Sequence, residues 1–170
     1  MNWLLFSLMT VACWGVYGIF LHKGAIGMGD PENGRYKAFL FVGIAYFLVA
    51  IVAPLIVLLV KGANWEYPKS GMSWSLVAGI VGAMGAFGVL LAFGAKGSPA
   101  VVMSIIFAGA PVINGIVAIA IDSKIKWGSV PIPFYLGIVL AAVGGCLVTL
   151  FKPAHPPAKK PEVEVVQKVE

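Results

Sequence analysis

Few residues in the apolar parts of this chain have side chains that could do chemistry. The polar groups there are hydroxyls and the amide of Asn114, with no Asp, Glu, Lys or Arg among them. His22 and His155 lie outside the apolar stretches and have no further ligand at metal spacing. The sequence contains no nucleophile paired with a base, no paired intramembrane carboxylates and no glycine-rich phosphate loop. We therefore predict that the protein is not an enzyme and uses neither a metal ion nor a cofactor.

Four aromatic residues and one amide are the candidates for lining a solute pocket. They are Trp14, Tyr17, Tyr46, Phe107 and Asn114. Asn114 follows Pro111 by three residues, so it is a candidate for a kinked part of a helix where carbonyl groups are freed. The alternative is structural, with the aromatics forming core and the amide of Asn114 bridging two helices. The sequence leaves both interpretations open.

These residues belong to five long apolar stretches, which we predict to be transmembrane helices. The stretches are residues 3–21, 38–60, 74–95, 99–121 and 132–151. Each is long enough to cross a hydrocarbon core, which takes roughly 20 helical residues. The chain is 60% hydrophobic and 11% charged, and every charged residue lies outside the stretches. Because lipid offers no partner for unpaired backbone groups, we predict an all-α integral membrane bundle.

The distribution of basic residues predicts an orientation in the bacterial inner membrane. Of the Lys and Arg residues, 8 lie on the side that holds the first loop, the third loop and the tail, and 4 lie on the other side. The positive-inside rule places the N-terminus outside and the C-terminus in the cytoplasm. If only Lys152 is counted from the tail, the ratio is 5 to 4, so dual insertion stays open. Residues 152–170 are rich in Pro and Lys, and we predict a disordered cytoplasmic tail.

The net charge of +5 does not indicate binding to nucleic acid, because no basic patch is interleaved with aromatic residues. The lipid bilayer is the predicted partner. Cys13 and Cys146 each fall inside an apolar stretch without a Cys–x–x–Cys pattern. We interpret both as small packing residues.

Two helices carry small residues at spacings that favour close helix contacts. The third stretch has Gly79, Gly82, Gly85 and Gly88, and the fifth has Gly137, Ala141, Gly144 and Gly145. Small residues let helix backbones approach in a membrane, where the hydrophobic effect does not drive association. The first set fits dense packing or a helix that moves beside a substrate path. The second set predicts contact with another helix of this chain or with a second copy, and the small size of the chain favours the second copy.

Short motifs along the chain resemble those of the drug/metabolite transporter superfamily in its EamA-like form. The resemblance covers nearly all of residues 2–151 and rests on six features. They are Trp14-Gly15 followed by Lys23, the turn Ser98-Pro99-Ala100, Pro111, Asp122, Leu136-Gly137-Ile138 and Gly144-Gly145. Members of that family usually carry two five-helix units, so the resemblance implies a dimer of this single unit. The small multidrug-resistance branch shares the Gly–x6–Gly spacing of the last helix, but its membrane glutamate is absent from the first helix here.

The sequence as a whole predicts a transporter-like protein that acts as a homodimer on a small organic solute. The alternative is a non-transporting accessory subunit that packs against a larger membrane protein complex.

Overall fold

The computed structural model describes residues 2–121 and 127–151, and within them the secondary structure is helical with no strand. The α-helices are α1 (Asn2–Gly27), α2 (Gly34–Phe47), α3 (Ala53–Val60), α4 (Lys69–Gly94), α5 (Pro99–Ile121) and α6 (Ile132–Leu150). A π-helical turn, Leu48–Val52, makes α2 and α3 one continuous span, and a 3-10 turn, Trp127–Ser129, precedes α6. In this part of the chain, five helices are long and apolar enough to cross a membrane. The prediction of an all-α, multi-pass membrane bundle is therefore confirmed, whereas Asp122 and the 152–170 tail lie outside the described residues.

The helices extend further than the apolar stretches that predicted them. Helix α1 continues through Lys23, α2 already contains Arg35 and Lys37, and α4 begins at Lys69. Long basic side chains can keep their charged ends in the headgroup region while the helix backbone continues, so charge does not mark the end of a helix. The first loop is consequently shorter than the apolar pattern indicates and covers only residues 28–33.

The hydrophobic core lies at one end of the bundle. There α1 packs against α2, α4 and α5, and α4 packs against α2 and α5. The core cluster consists of Leu21, Val89, Leu90, Phe93, Val102 and Met103. These positions lie near the end of α1, the end of α4 and the start of α5. Gly18 permits the close approach, because a Cβ atom there would come within 2.7 Å of the Met103 side chain.

The opposite end of the bundle is much less packed. Helix α3 makes its main contacts only with the π turn that precedes it. Trp3 at the start of α1 is 72% exposed, Val60 at the end of α3 is 82% exposed, and Trp74 near the start of α4 is 69% exposed. Helices α1, α2 and α4 are therefore held together mainly at the end that carries the α1–α2 and α4–α5 connections. At the other, more open end, α5 still packs against α6 around Gly115.

The π turn between α2 and α3 has a local cause in Pro54. Proline has no backbone N–H, so Pro54 cannot donate the hydrogen bond that would continue an α-helix. Just before it, the N–H of Ala53 donates to the carbonyl of Leu48, five residues back, which is the π-helical pattern. The second span thus has a break in its regular hydrogen bonding near its middle, which hydropathy alone does not reveal.

Candidate functional site

A groove lies between α1, α5 and α6 in the described part of the bundle. Helix α6 makes its extensive contacts with α5 alone, and the space between α6 and α1 has a volume of about 990 Å³. Gly15 lines the groove from α1, Ser104 and Phe107 line it from α5, and Leu140 and Gly144 line it from α6. The hydroxyl of Ser104 donates to the carbonyl of Ala100 at 2.6 Å, so its donor is already satisfied within the helix. The groove is therefore mainly apolar.

Small residues on α5 bring α6 close along one wall of the groove. Ala100, Ser104 and Ala108 recur every four residues and so lie on one face of α5. A Cβ atom on Gly145 would overlap the Cβ of Ala108 and would lie 3.2 Å from the backbone oxygen of Ser104. Gly145 is thus used for packing within the chain. This repeat of small residues on α5 is the signal in the sequence that indicates the contact.

The other small residues of α6 have a different environment. Added Cβ atoms on Gly137 and Gly144 would meet no atom within 4 Å, and Ala141 is half-buried beside the groove. The predicted self-association through this face therefore depends on Gly137 and Gly144, because Gly145 already contacts α5.

The glycines of α4 also face no neighbour in the described chain. A Cβ atom on any of the four glycines predicted to favour close contacts would have open space within 4 Å. These glycines form a stripe that consists of Gly79, Gly82, Gly85 and Gly88. The stripe lies on the part of α4 that precedes the core, toward the open end of the bundle. Dense packing inside the chain does not account for it, and contact with a second copy or a partner protein stays a prediction.

Three of the predicted solute-lining aromatics come together between α1 and α2. The rings of Trp14 and Tyr17 are tilted by 47° with centroids 5.6 Å apart, and the Tyr46 side chain approaches Tyr17 from α2. The Tyr17 hydroxyl is buried beside the Tyr46 side chain. Phe107 lies instead in the groove, on the side of α1 that carries Gly15. The structure therefore divides the predicted aromatic set between two places.

Asn114 lies apart from both places. Its side chain is exposed on α5, and the structure records no hydrogen bond for its amide within residues 2–121 and 127–151. The neighbouring Gly115 packs against α6, where its Cβ would be 3.1 Å from the side chains of Phe134 and Ile138. An unpaired amide facing lipid is costly, so Asn114 is a position where a partner from outside this chain would be stabilising.

A second, smaller cavity lies at the packed end of the bundle and is polar on one side. It has a volume of about 460 Å³ and is lined by His22, Asp30 and Arg35 together with apolar residues such as Phe93. The ring of His22 meets that of Phe93 edge-on, with centroids 5.4 Å apart. Among the described residues, no three His, Cys, Asp or Glu side chains are grouped closely enough to hold a metal ion. In the sequence His22 is isolated, and no spacing pattern links it to Arg35.

Comparison with known proteins adds no relative, since the chain matches no family model, no curated protein and no solved structure.

Proposed function

We propose that this protein is a transporter-like membrane protein of the EamA-like drug/metabolite type, which acts as a homodimer on a small organic solute. The observation that carries the proposal is the groove between α1, α5 and α6. Its volume of about 990 Å³ matches the upper part of the range of small-molecule sites, about 300–1,000 Å³. The proposed location is the bacterial inner membrane.

The lining of the groove favours an uncharged or mixed solute over an ion. Phe107 offers an aromatic face, and small residues such as Gly15 and Gly144 leave room beside it. No carboxylate or basic side chain lines the groove among the described residues, so a bare charge there would lack a counter-ion. The groove extends to the start of α5, where Ser98 and Pro99 line it.

The homodimer is supported by positions that lack a partner within the described chain. The amide of Asn114 has no hydrogen bond there, and Gly137 and Gly144 have open space where helices normally pack. A second copy would cover such positions and complete the wall of the groove. The same positions also suit the alternative, a non-transporting accessory subunit that packs against a larger complex.

Solute flux into proteoliposomes tests the proposal directly. We expect uptake of at least one member of a panel of labelled uncharged and zwitterionic solutes, and we expect Gly15→Leu to abolish it by filling the groove. Gly43→Leu is the matched control, because a Cβ on Gly43 also meets open space but Gly43 does not line the groove. Absence of flux for the whole panel, or equal flux in both variants, would contradict transport through this groove.

The proposed orientation has the N-terminus outside and the C-terminus in the cytoplasm, following the 8 to 4 distribution of Lys and Arg. Reporter domains fused after Glu170 are expected to be active only in the cytoplasm. Activity of the fusion only outside the cytoplasm would reverse the assignment, and equal activity on both sides would mean dual insertion.

We also expect transport to proceed without proton exchange through a membrane carboxylate. None of the five spanning helices contains Asp or Glu, and the acidic residues Asp30, Glu32 and Glu66 lie in the loops between them. Addition of solute to lightly buffered proteoliposomes should therefore release no stoichiometric protons. A proton signal that matches solute uptake one for one would show a coupling route that these helices do not provide.

A further inference from the structure

The smaller cavity at the packed end of the bundle contains an arginine whose charge has no carboxylate partner among the residues that the structure describes. Arg35 belongs to the first turn of α2 and extends to the end of α4, where a Cβ on Gly94 would lie 2.9 Å from its Nη1 atom. Its Nε atom is completely buried and has no hydrogen-bond partner among residues 2–121 and 127–151. Its Nη2 atom donates to the Tyr36 hydroxyl at 3.3 Å, and the guanidinium lies 4.7 Å from the centre of that ring.

The nearby carboxylate of Asp30 does not neutralise Arg35, because other groups already bind it. Lys37 donates to Asp30 at 2.6 Å, and the backbone N–H groups of Asn33 and Glu32 donate to it at 2.8 Å and 3.1 Å. The hydrogen bond from Lys37 is the main cause that lowers the pKa of Asp30 to about 2, so this carboxylate is ionised at neutral pH. Asp30 and Lys37 thus balance each other, so within residues 2–121 and 127–151 no carboxylate neutralises the positive charge of Arg35 in the cavity.

The helix ends around Arg35 offset only part of this charge. Helix α4 ends at Gly94, and the carbonyl end of a helix carries a partial negative charge that favours a nearby cation. The buried Nε–H of Arg35 is closed to solvent, so a ligand in the cavity would meet the Nη atoms of the guanidinium. His22, on the α1 side of the same cavity, adds a ring that can form a hydrogen bond to a ligand. Ile26 and Leu90 supply apolar wall beside these groups.

We propose that this cavity binds a small oxyanion, a carboxylate or phosphate group, through the guanidinium of Arg35. The planar fork of arginine donates parallel hydrogen bonds to two oxygens of such a group, and a volume of about 460 Å³ admits it together with a short apolar portion. Two sources share this chemistry, a free solute such as inorganic phosphate and the phosphate of a lipid headgroup. The site is separate from the groove, so its occupancy does not depend on whether the protein transports.

Two variants and a matched control test the proposal on the full chain in a maltoside detergent, which carries no phosphate or carboxylate group. Arg35→Gln removes the charge and the fork, while Gly94→Ala keeps the charge but places a Cβ against the guanidinium. Lys96→Gln is the control, because it removes one positive charge from the same end of the bundle without lining the cavity. The two probes are inorganic phosphate, followed by calorimetry, and phosphatidylglycerol, followed as retained lipid in native mass spectrometry.

We expect at least one probe to bind, with affinity reduced about tenfold or more in Arg35→Gln, as for loss of a charged hydrogen bond, and also reduced in Gly94→Ala. Lys96→Gln should bind like the unmodified chain. Phosphate binding assigns the site to a free oxyanion, and retention of phosphatidylglycerol alone assigns it to a headgroup. Failure of both probes to bind, or equal binding with and without Arg35, overturns the proposal. If Arg35→Gln does not fold, unchanged affinity in folded Gly94→Ala overturns it as well.

Discussion

Gly145→Leu is expected to prevent α5 and α6 from packing and to leave little or no folded protein. A Cβ at this position would already overlap that of Ala108 and approach the backbone oxygen of Ser104. Overpacking a tight contact costs about 1–3 kcal/mol or more when side chains can adjust, and a backbone oxygen cannot rotate away as a side chain can. Because α6 packs extensively on α5 alone, no other contact would hold it in place. Size-exclusion profiles and thermal unfolding of the purified variant measure this loss.

The neighbouring substitution Gly144→Leu is the matched comparison, with the same change one position away. A Cβ on Gly144 meets nothing within 4 Å, so the chain should fold normally. If a second copy packs on this face, leucine would push its backbone away, and the dimer would shift to monomer. Leu140→Ala, on the same helix, should change little. Exchange between differently labelled copies in bilayers measures the dimer fraction. A folded Gly145→Leu protein would contradict the α5–α6 packing, and an unchanged dimer fraction in Gly144→Leu would contradict association through this face.

Leu90→Ala is expected to destabilise the bundle by about 2–5 kcal/mol, the usual cost of emptying a well-packed core site. Leu90 is 0% exposed and belongs to the cluster that holds α1, α4 and α5 together. Since the opposite end of the bundle is open, little other packing would compensate for the cavity. Reversible unfolding in mixed detergent micelles gives the change in the free energy of unfolding.

The control for this effect is Leu91→Ala, one residue further along α4. Leu91 is 44% exposed, so its truncation removes a side chain that faces lipid for much of its surface. We expect the free energy of unfolding to change far less than in Leu90→Ala. Equal losses in the two variants would mean that the core is not concentrated at the end of the bundle where Leu90 lies.

The five spans could be predicted from the sequence because the separation of apolar from charged residues follows directly from the cost of charge in lipid. The ends of the helices could not be predicted in the same way, because the cost of placing a charge in lipid acts on the charged group and not on the backbone that carries it. Lys23, Arg35 and Lys37 lie within helices for this reason. Hydropathy also misses the π turn before Pro54, because every residue in that segment is apolar.

Small-residue patterns predicted that helices would approach each other but not which helices would meet. Gly144 and Gly145 are adjacent in the same motif, yet only Gly145 meets Ala108 within the chain. The choice depends on how α6 is rotated against α5, which the glycine spacing does not specify. The aromatic residues predicted to line a solute pocket had the same ambiguity, because the sequence does not specify which neighbouring helix each one faces. Tyr17 lies toward α2, whereas Phe107 lines the groove.

The site of Arg35 illustrates a signal that depends on the fold. His22, Asp30 and Arg35 belong to two helices and the loop between them, and the end of α4 completes their cavity. In the sequence, Arg35 is one of several basic residues in a loop that orients the protein. Only the packing of α1, α2 and α4 reveals that its Nε atom is buried and lacks a partner in the described chain.

The mass of the complex extracted from native membranes tests the central claim, a homodimer that works without a foreign subunit. Polymer-extracted patches keep the surrounding lipid, and native mass spectrometry then gives the number and identity of the chains. We predict two copies of the 17.9 kDa chain with no other protein in stoichiometric amount. A single copy bound to a different membrane protein in fixed ratio would contradict this account and would support the accessory-subunit alternative.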